Sequence, residues 1–180
     1  DDAPAVQFAH GIASGDPLAD RVMLWTRVTP PVGHTGDIPV EWEVATDSAF
    51  TTLVAQGQAT ALASKDFTVK VDATGLKAAT AYHYRFRAYA ATSPTGRTRT
   101  LPTGSVAQVK LAVFSCANYP AGYFNVYAHA AKRGDLDATV HLGDYIYEYG
   151  QGGYASANAG ALCRLSTPAK EILSLADYRQ

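Results

Sequence analysis

Through the first hundred positions the apolar residues fall repeatedly at every second place, and after residue 108 they no longer do. A period of two marks a strand with one face buried and the other in water. AYHYRFRAYA (81–90) is the clearest case, with Tyr82, Tyr84, Phe86 and Ala88 on one side and His83, Arg85 and Arg87 on the other. FTVKV (67–71) groups Phe67, Val69 and Val71, and EWEVA (41–45) sets Trp42 and Val44 against Glu41 and Glu43. VMLWTRV (22–28) adds a strongly apolar run behind the turn signal Gly15-Asp16-Pro17. Short strands separated by turns predict an all-β sandwich.

One spacing refines that expectation. TGLKAATAY places Leu76 six residues before Tyr82, at the entry to the best strand. This resembles the tyrosine corner of immunoglobulin-like and fibronectin type III sandwiches, where the phenol bonds back to upstream backbone. No cysteine precedes Cys116, so such a sandwich holds no disulfide.

LPTGSVAQ (101–108) is the boundary, because Pro102 and Gly104 disfavour regular structure there. The expected domains are a β-sandwich over 1–103 and a second domain over 104–180. In the second, KLAVFS (110–115) is an unbroken apolar run, the pattern of a strand covered on both faces. FNVYAHAAKR (124–133) puts Phe124, Tyr127, Ala128 and Ala131 on one helical face, with basic residues in the last turn and Gly134 after it. ATVHL (138–142) is the next strand. Strand, helix, strand is a βαβ unit, which implies parallel pairing. GQGGYASANAG (150–160) reads as a flexible surface loop, and Thr167-Pro168 as a helix start. Ser174-Leu175-Ala176-Asp177 has the form of a capping box opening another helix.

Composition excludes some partners. A formal net charge of -1 with 17% charged residues gives no nucleic-acid-binding signature, which needs clustered Lys and Arg. No apolar run reaches the length of a transmembrane segment. Asp1-Asp2-Ala3-Pro4 has neither the basic region nor the apolar stretch of a targeting segment, and suits the new end left when an export signal is removed. The two cysteines, Cys116 and Cys163, are not paired by any argument from spacing.

Both apolar runs of the second domain end on a potential metal ligand, Cys116 after the first and Asp144 after the second. Chemistry collects at the carboxyl ends of parallel strands. Gly143 lets the backbone turn sharply so that Asp144 projects from the strand end. A carboxylate can bridge two cations, as two-metal hydrolases require. Tyr147, three residues on, reaches the same cation if the loop curls as a helical turn. Each residue also has an ordinary reading: Cys116 as a small buried side chain, Gly143-Asp144 as a turn, Tyr147 as one face of the alternating Tyr145, Tyr147 and Tyr149.

Longer stretches carry a resemblance. FAHGIASGDPLADRVMLWTRVTP (8–30) resembles the opening of the N-terminal domain of PhoD-type alkaline phosphatases. KLAVFSCANYPAGYFNVYAHAA (110–131), DATVHLGDYIYEYG (137–150) and LADYR (175–179) resemble the start of that family's metallophosphatase domain. The matches run in order over essentially the whole chain. The resemblance implies an immunoglobulin- or fibronectin-like sandwich followed by the first βαβ part of an α/β metallophosphatase domain. It implies a secreted or periplasmic metal-dependent phosphoesterase acting on phosphate monoesters or diesters through a metal-activated water. Some members act as phospholipase D, so a phospholipid substrate belongs to the same expectation. The implied cofactors are Fe3+ and Ca2+. By position, Cys116 corresponds to the thiolate ligand of the ferric ion, Tyr147 to its phenolate ligand, and Asp144 to the carboxylate that bridges iron and calcium. The family's remaining ligands belong to motifs placed beyond Gln180, so the implied partner of this chain is the C-terminal remainder of the same enzyme.

His10, His34, His83, His129 and His141 match none of the family's ligand positions, although His141 sits one strand position from the site. The sandwich would serve as a packing or substrate-gating module, with Arg85 and Arg87 on a solvated face. The alternative is a non-catalytic fibronectin-like binding module with an inactive α/β remnant.

Overall fold

The computed structural model describes residues 4–180, so the export-signal expectation at Asp1-Asp2-Ala3-Pro4 lies largely outside the described residues. The chain divides into two compact units, residues 1–106 and 107–180.

In the first unit, β1 (Ile12–Gly15), β2 (Arg21–Arg27) and β5 (Thr68–Thr74) form one antiparallel sheet in the order β1-β2-β5. The second sheet runs β4 (Leu53–Ala61), β3 (Ile38–Ala45), β6 (Ala81–Ala88), β7 (Ala91–Thr92), and β8 (Gly96–Arg99) also pairs with β6. The period-two pattern is realised in the core. Val22, Leu24, Val69 and Val71 from the first sheet pack with Val40, Val44, Tyr82, Tyr84 and Phe86 from the second. Tyr82 is buried, and its phenol oxygen accepts the Lys77 backbone N–H at 2.8 Å, the bond expected from the Leu76–Tyr82 spacing. Arg85 is held by Glu43 and lies 4.0 Å over the Phe50 ring, so its charge is already engaged within the unit.

The apolar pattern does not announce β4. LVAQGQATA carries glutamines and small residues, and its side chains are mostly exposed or half-buried. Gly57 explains part of that composition. A Cβ there would meet the Trp42 indole at 2.8 Å, so the ring of β3 lies where a side chain of β4 would stand. Only glycine leaves room for it.

In the second unit, β9 (Leu111–Phe114) and β10 (Ala138–His141) pair in parallel, with α1 (Asn125–Ala131) between them in sequence. Three local expectations need correction. Neither face of β9 is fully covered: Leu111 is 50% and Val113 55% exposed, while Ala112 and Phe114 are half-buried. Two short strands and a seven-residue helix have too little surface to bury both faces. The helix packs through Tyr127 and Ala130, while Ala128 and Ala131 are exposed and Phe124, just ahead of the helix, meets the rings of Tyr119 and Tyr127. Tyr127 sets that phase by its edge contact with Phe114, centroids 4.8 Å apart. No helix starts at Thr167-Pro168: Ser166 and Ala169 instead accept hydrogen bonds from the Gln151 side chain and backbone.

The glycine-rich stretch is a series of hydrogen-bonded turns, with Gly153 N–H to Gly150 O and Leu162 N–H to Asn158 O. The capping box is present. Ser174 and Asp177 satisfy each other's backbone N–H groups ahead of α2 (Leu175–Tyr178), and Asp177 also meets Lys170 at 2.7 Å.

Tyr82→Phe leaves the Lys77 N–H without its acceptor. The expected loss of stability is about 1–3 kcal/mol, read by denaturant unfolding. A change indistinguishable from zero would show that this bond does not hold the corner.

Candidate metal centre

The pairing register decides which residues meet. Phe114 stands opposite His141, so the chain leaves both strands at the same level. Beyond that level Cys116 N–H donates to Gly143 O at 3.2 Å, and Ala117 N–H donates to Asp144 O at 2.8 Å. These bonds continue the ladder past the strands and lock two tight turns side by side. The φ angles are +61° at Cys116 and +53° at Asp144, with Gly143 at +124°. The left-handed region costs a non-glycine residue roughly 1–3 kcal/mol and is concentrated at functional sites. Two such residues joined by cross-strand bonds fit turns built to present side chains.

The side chains converge on one atom. Tyr147 donates its phenol proton to Asp144 Oδ2 at 3.0 Å, and Cys116 donates its thiol to the same oxygen at 3.8 Å. Asp144 Oδ1 takes part in neither bond. The Tyr147 phenol is shifted upward from its ordinary pKa, first by hydrogen bonding with Cys116, then by burial and by the Asp144 carboxylate. The cluster therefore gathers a thiol and a phenol, both donors, around one carboxylate oxygen.

One cation can take the place of both donated hydrogens at this oxygen, so the donor set fits a metal. Thiolate, carboxylate and phenolate together suit a highly charged ion, and a bound metal removes a thiol proton readily. Among the described residues no group of three His, Cys, Asp or Glu side chains gathers in this way, because the third donor is a phenol. Cys116 and Cys163 are both free and exposed.

His141 reaches the turn that carries Asp144. Its Nδ1 accepts the Gly143 N–H at 3.3 Å, and its Nε2 lies 3.3 Å from the Tyr127 phenol. It thereby ties α1 to the turn carrying Asp144. Asn118 and Tyr154 also belong to this neighbourhood: Tyr154 stacks on Tyr147 with rings 11° from parallel and centroids 6.1 Å apart. The sequence offered no periodic signal for either, since both lie in turns.

Two family models match. Residues 1–102 fit the N-terminal domain of PhoD-like phosphatases, and residues 111–180 fit the PhoD-like phosphatase domain. The chain belongs to the PhoD-like phosphatase family. It is 43% identical to alkaline phosphatase D of Bacillus subtilis (strain 168), over 96% of this chain and 30% of that protein. A solved structure of PhoD superposes with a TM-score of 0.88 at 42% identity, covering 96% of this chain and 34% of that one. The chain thus spans about a third of the length of these relatives, and its mostly β fold corresponds to part of the PhoD fold.

Because the phenol holds its proton beyond the ordinary range, metal uptake that uses Tyr147 must release that proton. Uptake should strengthen as pH rises, and Tyr147→Phe should release about one proton fewer on binding. Calorimetric titration with ferric ion in buffers of different ionisation enthalpy measures the difference. Equal proton release from both proteins would remove Tyr147 from the ligand set.

Proposed function

We propose that this chain carries the first ligands of a secreted or periplasmic metal-dependent phosphoesterase, which hydrolyses phosphate monoesters, diesters or phospholipids. The observation that supports it is the convergence of the Cys116 thiol and the Tyr147 phenol on one oxygen of Asp144. Phosphatase function is the property common to the family. In this reading residues 1–103 form an immunoglobulin- or fibronectin-like sandwich, and residues 104–180 begin an α/β metallophosphatase domain. The C-terminal remainder of the enzyme supplies the further ligands and the substrate-selecting loops.

Cys116, Tyr147 and Asp144 would hold Fe3+, the first two after giving up their protons, and Asp144 would also serve Ca2+. When bound, such a pair withdraws charge from phosphate oxygens and acidifies water. The chain's own contribution is positional. The bonds from Cys116 N–H to Gly143 O and from Ala117 N–H to Asp144 O keep the two ligand turns in register. His141 buttresses the second turn through the Gly143 N–H. A water acidified in this way would make a side-chain nucleophile unnecessary. A non-catalytic binding module leaves the convergence of a thiol and a phenol on one carboxylate oxygen without a purpose.

In the full-length protein, Cys116→Ser and Asp144→Asn should each lower kcat/KM for phosphate esters by roughly 100-fold or more and reduce iron per chain. Turnover assays beside elemental analysis read both quantities. Full turnover with full metal content in either variant would sink the assignment.

A further inference from the structure

The stretch 158–164 folds on itself. Leu162 N–H donates to Asn158 O at 3.0 Å and Arg164 N–H to Ala159 O at 2.8 Å, with Ala159 buried beneath. Its last residue reaches across to the segment that follows Cys116. Arg164 Nε donates to Tyr119 O at 2.7 Å, and the guanidinium lies 3.8 Å over the Tyr119 ring and 4.7 Å over the Phe124 ring. Its Nη2 is enclosed without an acceptor among the described residues, so one carbonyl and the rings place this cation. A planar guanidinium stacks on aromatic faces in a way that an ammonium does not reproduce.

Two further bonds join the same segments. Tyr123 donates its phenol proton to Leu162 O at 3.0 Å, and Asn118 Nδ2 donates to Tyr154 O at 3.4 Å. Tyr154 in turn lays its ring nearly parallel to that of Tyr147. Residues 154–164 are thus fastened at one end to the segment after Cys116, and at the other they lie against the ring of Tyr147. Tyr147 itself stands outside any strand or helix. No ladder fixes the direction of its ring, so contacts such as the one with Tyr154 must.

We propose that Arg164 is a positioning residue for the metal centre: it clamps residues 154–164 against Tyr119, so that Tyr154 holds the Tyr147 phenol towards Asp144. The proposal rests on the metal-dependent reading above, in which Tyr147 is an iron ligand. Arg164 acts through Tyr154 and contacts none of Cys116, Asp144 and Tyr147 by any hydrogen bond or ring contact described for it. Side chains that orient a ligand from outside the metal's own shell are worth about 10–100-fold in metal affinity or activity.

The test compares the native full-length protein with Arg164→Lys, Arg164→Leu, Tyr154→Leu and the double variant Arg164→Leu with Tyr154→Leu. Ferric affinity is read by competition with a chelator. The visible absorption of the ferric phenolate, per bound iron, reports the bond to Tyr147. Arg164→Leu and Tyr154→Leu should each weaken ferric binding roughly 10-fold and shift that absorption. Arg164→Lys should behave like Arg164→Leu, because it keeps the charge without the flat face. The double variant should fall within about twofold of the weaker single variant, since both changes break one route. If Arg164→Leu does not fold, Arg164→Lys and Tyr154→Leu carry the test. Native affinity and native absorption in those two variants would overturn the clamp and leave the phosphoesterase reading standing. Losses that multiply in the double variant would also overturn it, because Arg164 would then not act through Tyr154. If the native protein binds no ferric ion and turns over no phosphate ester, the metal-dependent reading fails and the clamp with it.

Discussion

Parallel pairing of Leu111–Phe114 with Ala138–His141 is the constraint on which the candidate centre depends. The two turns of the candidate centre are 28 residues apart in sequence, and only the register brings Cys116 level with Asp144. A slip of one residue would turn every side chain of the slipped strand to the other face. Ladder bonds that continue beyond the strands hold the turns against that slip, and they maintain left-handed backbone at two residues that do not favour it. His141 and Tyr127 extend the support into α1, so the position of Asp144 is tied to a helix as well as to a strand.

The two units differ in how far they satisfy their own apolar surface. In the first, two antiparallel sheets close on a shared core, and Val22, Leu24, Ile38, Val40 and Phe86 are almost wholly removed from water. In the second, Leu111, Val113, Val126 and Leu142 remain at least half exposed. Burial at about 25 cal/mol per Å² is the dominant favourable contribution to folding, so the second unit is the one with stabilisation still to gain.

How much of this was legible in the sequence depended on the kind of signal. β2, β3, β5 and β6 were readable because period two survives whenever one face is buried, and the Leu76–Tyr82 spacing located the corner bond. β4 was not, because its composition answers to Trp42 on the neighbouring strand and carries almost no apolar pattern of its own. The phase of α1 was misplaced because alanines mark a buried face weakly, and the contact of Tyr127 with Phe114 overruled them. Thr167-Pro168 looked like a helix start locally, but its carbonyl neighbours serve the turn at Gln151. At the centre, Cys116, Asp144 and Tyr147 could each be named as candidates. Asn118 and Tyr154 could not, since residues in turns carry no period.

The sequence by itself determined the change from alternating to continuous apolar pattern, the βαβ order of the second unit and the residue types available to bind a metal. These are local properties, set by side-chain chemistry and by the two backbone periods. Only the tertiary structure decided that the thiol and the phenol share one oxygen of Asp144, that His141 braces the Gly143 turn, and that Tyr154 stacks on Tyr147. Those relations depend on register and on hydrogen bonds between residues distant in sequence, and no local pattern encodes a distance across a sheet.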